Sequence, residues 1–151
     1  MNKVKVLFVC TGNTCRSPMA EGLLKQKSEI CDVLSAGLHA ADGSPASVHA
    51  VQVMKQRGID ISRHTAATIT PQVLKSADII LTMTQAQKEA ICDAFPEYAE
   101  KIQTLGTFAG VSSEIPDPFM GNEQIYEACA KELERLIDLA LPKFAQMVQP
   151  T

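Results

Sequence analysis

The residues best placed to do chemistry are Cys10 and Arg16, separated by five others and followed by Ser17. A cysteine thiolate is a strong nucleophile, and an arginine guanidinium can grip two oxygens of a phosphoryl group at once. Ser17 can donate a hydrogen bond to the thiolate. The residues between them, Thr11-Gly12-Asn13-Thr14-Cys15, are small and mostly polar. Together they spell nucleophilic attack on a bound oxyanion, with phosphorus as the obvious centre.

That chemistry needs a particular setting. Residues 4–9 form a short apolar run rich in β-branched side chains, which reads as a buried strand. From Ser17 to about Ser28 the pattern is helical. Pro18 suits an early helical position, Glu21 falls in the first turn, and Met19, Ala20, Leu23 and Leu24 make one apolar stripe. The loop therefore leaves a strand end and enters a helix N-terminus. Free backbone N–H groups and the positive end of the helix dipole meet there and favour an anion. They also favour the thiolate form of Cys10. Gly12 and Asn13 tolerate the left-handed backbone angles that a loop curled around an anion requires. The expected phosphate cradle is thus Thr11, Gly12, Asn13, Thr14, Cys15, Arg16 and Ser17.

The remaining chain bounds the answer. Its 151 residues make one ordinary domain, residues 1–151, with 46% hydrophobic and 21% charged content. A net charge of −3 argues against nucleic acid or an anionic membrane as partner. No apolar run approaches the roughly 20 residues that span a bilayer, and the N-terminal segment lacks a signal-peptide cleavage site. The five cysteines and three histidines do not fall at zinc-ligand spacings, so no metal and no cofactor are expected. Cys31, Cys92 and Cys129 sit in apolar patterns and read as buried thiols. His39, His49 and His64 have no placed partner and read as surface or structural. A reducing, cytoplasmic setting and a monomer are the expectation.

Further strands are expected at 32–35, 78–83 and 101–105. Helices are expected at 46–57, from Pro71, at 85–95, and after a cap at Asn122. Residues 106–121 read as one long loop, and the tail after Leu141 as frayed. Strand–helix alternation implies an α/β domain: a parallel sheet with helices on both faces, and ligands beyond the carboxyl ends of its strands.

A thiolate attacking phosphorus leaves a group that needs a proton. The best-placed acid is Asp117, in the long loop and stiffened by Pro118. An Asp-Pro pair is equally an ordinary turn signal, and both readings stand on the residues alone.

The stretch CTGNTCRSP, residues 10–18, resembles the signature loop of the low-molecular-weight protein tyrosine phosphatase family. The likeness continues through residues 19–21 and returns at 35–37, 58–60, 77–81 and 117–119. It implies a four-stranded sheet in the order 2-1-3-4. It implies catalysis through a phosphocysteine on Cys10, with Arg16 holding the phosphoryl oxygens and Asp117 as general acid. The substrates would be phosphorylated proteins. Tyrosine phosphatases of the family carry a bulky aliphatic residue where this chain has Thr14, and two aromatics where it has only Phe119. Thr14 and Phe119 with this loop resemble the protein-arginine phosphatase branch, so phosphoarginine is favoured over phosphotyrosine. The alternative is that Thr14 is neutral variation in a phosphotyrosine enzyme. Cys15 could pair with Cys10 on oxidation or simply be a buried thiol. Two rivals are remote. An arsenate reductase would need two more cysteines a few residues apart, and in that region the chain has only Cys92. A phosphate or redox sensor would not need the nucleophile, Arg16 and Asp117 together.

Overall fold

The computed structural model describes residues 3–148. Its elements are β1 (Val4–Cys10), α1 (Arg16–Lys27), β2 (Cys31–Gly37), α2 (Val48–Lys55), α3 (Pro71–Ser76), β3 (Ile79–Thr82), α4 (Gln85–Ala94), β4 (Ile102–Thr104), α5 (Leu105–Ala109) and α6 (Glu123–Met147). A 3₁₀ segment, Pro96–Lys101, links α4 to β4.

The four strands form one parallel sheet in the order β2-β1-β3-β4, as the resemblance implies. β1 lies inside it, and its residues alternate between two cores. Val4, Val6, Phe8 and Cys10 pack with α1, α2, α5 and α6. Leu7 and Val9 pack with Leu74 of α3, Ile80 of β3, Ile91 of α4 and Ile102 of β4. Burial on both faces explains why β1 is apolar at every position but Lys5, which is exposed near its start. The chain runs from β1 to β2 on one side and later to β3 on the other. The carboxyl end of β1 is therefore the switch point where such sheets bind ligands.

Several boundaries differ from the expectation. α1 begins at Arg16, so Glu21 lies in its second turn. β2 runs longer, to Gly37. α2 is shorter, and Ser47 caps it by accepting from the Ala50 N–H; a turn to Gly58, at φ +75°, follows it. The expected loop 106–121 contains α5, a single turn. Thr104 caps it and Gly110, at φ +89°, ends it. One turn carries too little periodicity to read, and Gly106 within it looks like a breaker. Gly106 is there because the backbone of Ser113 crosses where a Cβ would sit.

The tail after Leu141 is not frayed over the described residues. α6 runs to Met147 through Pro142, with Phe144 fully buried against Phe108. Packing there outweighs the backbone hydrogen bond that a proline removes. Residues 149–151 lie outside the described residues. No helix among the described residues is long and apolar enough to cross a membrane.

Candidate active site

The carboxyl end of β1 hands directly to the loop. Its carbonyls turn outward: Cys10 O accepts from Leu38 N, Thr11 O from His39 N and Thr14 O from Ser47 N. Asn13 O meets His64 Nε2 at 2.8 Å. Among the described residues, the N–H groups of Gly12, Asn13, Thr14 and Cys15 donate to no protein acceptor. α1 starts with Cys15 as N-cap and no side-chain cap, so its first N–H groups are also free. Outward carbonyls and inward donors at a helix N-terminus make a cradle for an anion.

Asn13 holds that shape. Its φ is +58°, a left-handed angle that asparagine accepts. Gly12 does not share it, contrary to the expectation that both residues use that freedom. The glycine the loop requires is Gly37 of β2, where a Cβ would lie 2.8 Å from Thr11 O and 3.1 Å from Asn13 N.

Asn13 also sets the direction of a chain of hydrogen bonds. Its Oδ1 accepts from Ala67 N at 3.0 Å, which fixes the amide. Its Nδ2 then donates to Ser17 Oγ at 2.8 Å and to Ser35 Oγ at 3.0 Å. Ser35 Oγ donates to Glu21 Oε1 at 2.6 Å. Ser17 Oγ, already an acceptor, is left with its own proton free, and Cys10 Sγ lies 2.9 Å away. Ser17 Oγ can therefore donate to that sulfur.

Arg16 is almost fully buried. Its Nη1 donates to Ile115 O at 3.0 Å, and its Nη2 lies 3.7 Å from Asp117 Oδ2. Its Nε is buried without a partner. A desolvated donor left unpaired costs roughly 1–3 kcal/mol, a cost that an anion bound there would relieve. Asp117 is half exposed, and its Oδ1 accepts from Phe119 N at 3.0 Å, which closes a short turn over Pro118. Cys10, Thr11, Gly12, Thr14, Cys15, Arg16, Asp117 and Phe119 line one cavity of about 200 Å³. Asn13 and Ser17 lie behind it as supports.

Cys15 Sγ lies 3.2 Å from the Tyr126 hydroxyl and 3.7 Å from Thr14 Oγ1, and donates to Ser47 Oγ at 3.6 Å. Burial, then the bond to Cys15, pushes the Tyr126 hydroxyl up to about 12. The His49 ring packs on Tyr126 with centroids 5.3 Å apart. Cys31 and Cys129 are buried as expected, whereas Cys92 is only half-buried; all five thiols are free. Among the described residues no three His, Cys, Asp or Glu side chains gather so as to hold a metal ion.

His64 and Gln87 contact the loop, and nothing in the sequence around them signals it. Their partners, Asn13 and Thr11, lie 51 and 76 positions away in the chain.

The comparisons with known proteins agree with this geometry. Residues 5–149 match the model of the low molecular weight phosphotyrosine protein phosphatase family. A protein-arginine-phosphatase of Geobacillus stearothermophilus is 46% identical over 136 residues, covering 89% of this chain and 91% of that protein. A low molecular weight protein tyrosine phosphatase from T. tengcongensis has a solved structure 44% identical to this chain. It superposes with a TM-score of 0.90 and covers 93% of this chain and 99% of its own. The solved structure of a YwlE arginine phosphatase mutant carrying a phosphorylated active-site serine has a TM-score of 0.91 at 35% identity, covering 95% and 97% of the two chains. Sheet, loop and overall match define a cysteine-based protein phosphatase. The chain belongs to the low molecular weight phosphotyrosine protein phosphatase family, whose members act on phosphorylated proteins.

Proposed function

We propose that this phosphatase hydrolyses phosphoarginine side chains of proteins, with Cys10 as nucleophile, Arg16 as phosphoryl clamp and Asp117 as general acid. The observation that carries the reading is the single cavity in which Cys10, Arg16 and Asp117 meet. The Cys10 thiolate attacks phosphorus in line, forming the S–P bond as the P–N bond to the guanidinium breaks. Asp117 gives its proton to the departing nitrogen. Arg16 and the free loop N–H groups hold the equatorial oxygens as charge develops on them. Water then attacks the phosphocysteine, Asp117 takes its proton, and inorganic phosphate leaves as the thiolate is restored.

The leaving-group preference rests on Thr14 and Phe119. Thr14 is half-buried and lines the cavity, and its hydroxyl lies 3.7 Å from Cys15 Sγ. Phe119 supplies one ring, with Met120 exposed beyond it. One hydroxyl, one ring and the Asp117 carboxyl suit a planar, polar, cationic group. The arginine-phosphatase relative points the same way. The second reading is a phosphotyrosine enzyme. The 44%-identical tyrosine phosphatase supports it, as does the exposed Phe119 ring, which could stack on a phenol.

Five free thiols support a reducing, cytoplasmic setting. The test of the chemistry is Cys10→Ser. It is expected to abolish turnover while inorganic phosphate still binds, because an alcohol is a far weaker nucleophile and a far poorer leaving group than a thiolate. Turnover surviving at more than a small fraction of the parent rate would move the nucleophile elsewhere.

A further inference from the structure

Two loops meet at the cavity, and they come from distant parts of the chain: residues 10–17 bring the nucleophile and residues 110–121 the acid. Both are tied to the same short turn, residues 83–87, between β3 and α4. On the nucleophile side the tie is Gln87, 5% exposed. Its Oε1 accepts from Met83 N at 2.9 Å and Thr84 N at 3.1 Å, and its Nε2 donates to Thr11 Oγ1 at 3.1 Å. On the acid side there are two ties. Ile115 N donates to Met83 O at 3.0 Å. Glu114 Oε2 accepts from Gln85 N, the first N–H of α4, at 2.6 Å. Ile115 is fully buried, and its carbonyl takes Arg16 Nη1.

We propose that the turn at 83–87 is a brace that sets the spacing between the nucleophile and acid loops, with Gln87 and Glu114 as positioning residues. Met83 is held on both sides, its N–H by Gln87 and its C=O by Ile115. A shift of this turn therefore moves Thr11 and Ile115 together. Glu114 adds a carboxylate at the positive end of the α4 dipole, a favourable place for it. It lies three residues before Asp117, and the segment between holds Pro116, so little slack separates the tie from the acid. Neither Gln87 nor Glu114 lines the cavity, so each acts through another residue.

The inference rests on Asp117 being the acid, and the experiment separates the two. The readout is kcat/KM on p-nitrophenyl phosphate, whose leaving group hardly needs a proton, and on phenyl phosphate, whose leaving group does. Glu114→Ala is expected to lower the phenyl phosphate value by about twofold to tenfold, the worth of one hydrogen bond. The p-nitrophenyl phosphate value should hold. Glu114→Gln, which keeps an oxygen acceptor for Gln85 N, is expected to recover most of that loss, which general loosening of the fold would not do. Asp117→Asn is run beside them. If Asp117→Asn shows the selective loss and Glu114→Ala shows none, or loses equally on both substrates, the brace is overturned while the acid stands. If Asp117→Asn itself shows no selectivity, the acid role fails and the brace goes with it.

Discussion

Ser17 Oγ lies 2.9 Å from Cys10 Sγ and takes its own hydrogen bond from Asn13 Nδ2, which leaves its single proton free for donation to the sulfur. Ser17→Ala removes that donor and leaves Asn13 Nδ2 with Ser35 alone. A hydrogen bond to a charged group contributes about 1.5–3 kcal/mol. Loss of roughly tenfold to a hundredfold in kcat/KM is expected, with slower alkylation of Cys10 by iodoacetate at fixed pH. Unchanged alkylation would show that Ser17 does not stabilise the thiolate.

Gly37→Ala tests the close approach of the loop to β2. The added methyl would press on Thr11 O at 2.8 Å and on Asn13, all of it backbone or anchored side chain. The loop must move, and overpacking of this kind costs typically ~1–3 kcal/mol. Activity is expected to fall further than stability, because the methyl pushes on the cradle itself. Thermal unfolding beside kcat/KM separates the two, and a variant with parent-like activity would contradict the geometry.

Thiol labelling distinguishes Cys10, which lines the cavity, from Cys31 and Cys129, which do not. Burial pushes Cys129 up to about 12 and raises Cys31 as well. A raised thiol stays protonated until the pH approaches its own value, so at neutral pH both are nearly all unreactive thiol. Iodoacetate at pH 7 is expected to label Cys10 and spare Cys31 and Cys129, and inorganic phosphate should protect Cys10. Peptide mass analysis that finds Cys129 labelled first would contradict this.

Cys15 gives a redox prediction. Peroxide is expected to convert Cys10 to the sulfenic acid, which the Cys15 thiol then traps as a disulfide. That requires Cys15 to leave the Tyr126 hydroxyl, now 3.2 Å away. Inactivation should be reversible with dithiothreitol in the parent and less so in Cys15→Ser. Equal recovery in the two would reduce Cys15 to a packing residue.

The sheet and the signature loop were legible because their signals are local. β1 is apolar at every position but Lys5, and Cys10, Arg16 and Ser17 sit within eight residues of one another. What supports the loop was not legible. Ala67, His64 and Gln87 reach Asn13 and Thr11 only through the fold, and each looks ordinary where it stands. Gly12 and Asn13 both read as residues with left-handed backbone angles because they lie in the loop, and of the two Asn13 adopts one. The close approach is made by Gly37 on the neighbouring strand instead. α5 was missed because one helical turn has no period, and the end of α6 because Pro142 is a breaker that Phe144 packing overrides.

Thr14→Ile tests the leaving-group preference. Isoleucine removes the hydroxyl and adds an apolar wall beside Phe119. A polar group left unpaired costs about 1–3 kcal/mol, so the ratio of kcat/KM on phosphoarginine to that on phosphotyrosine is expected to fall roughly tenfold to a hundredfold. An unchanged ratio would remove Thr14 from specificity.

The most direct test of the account is that same ratio in the parent enzyme, measured on one protein or peptide sequence carrying either phosphoarginine or phosphotyrosine. The account predicts a ratio above one, with Cys10→Ser inactive on both. A parent enzyme faster on phosphotyrosine would contradict the phosphoarginine reading and leave a tyrosine phosphatase built on the same loop.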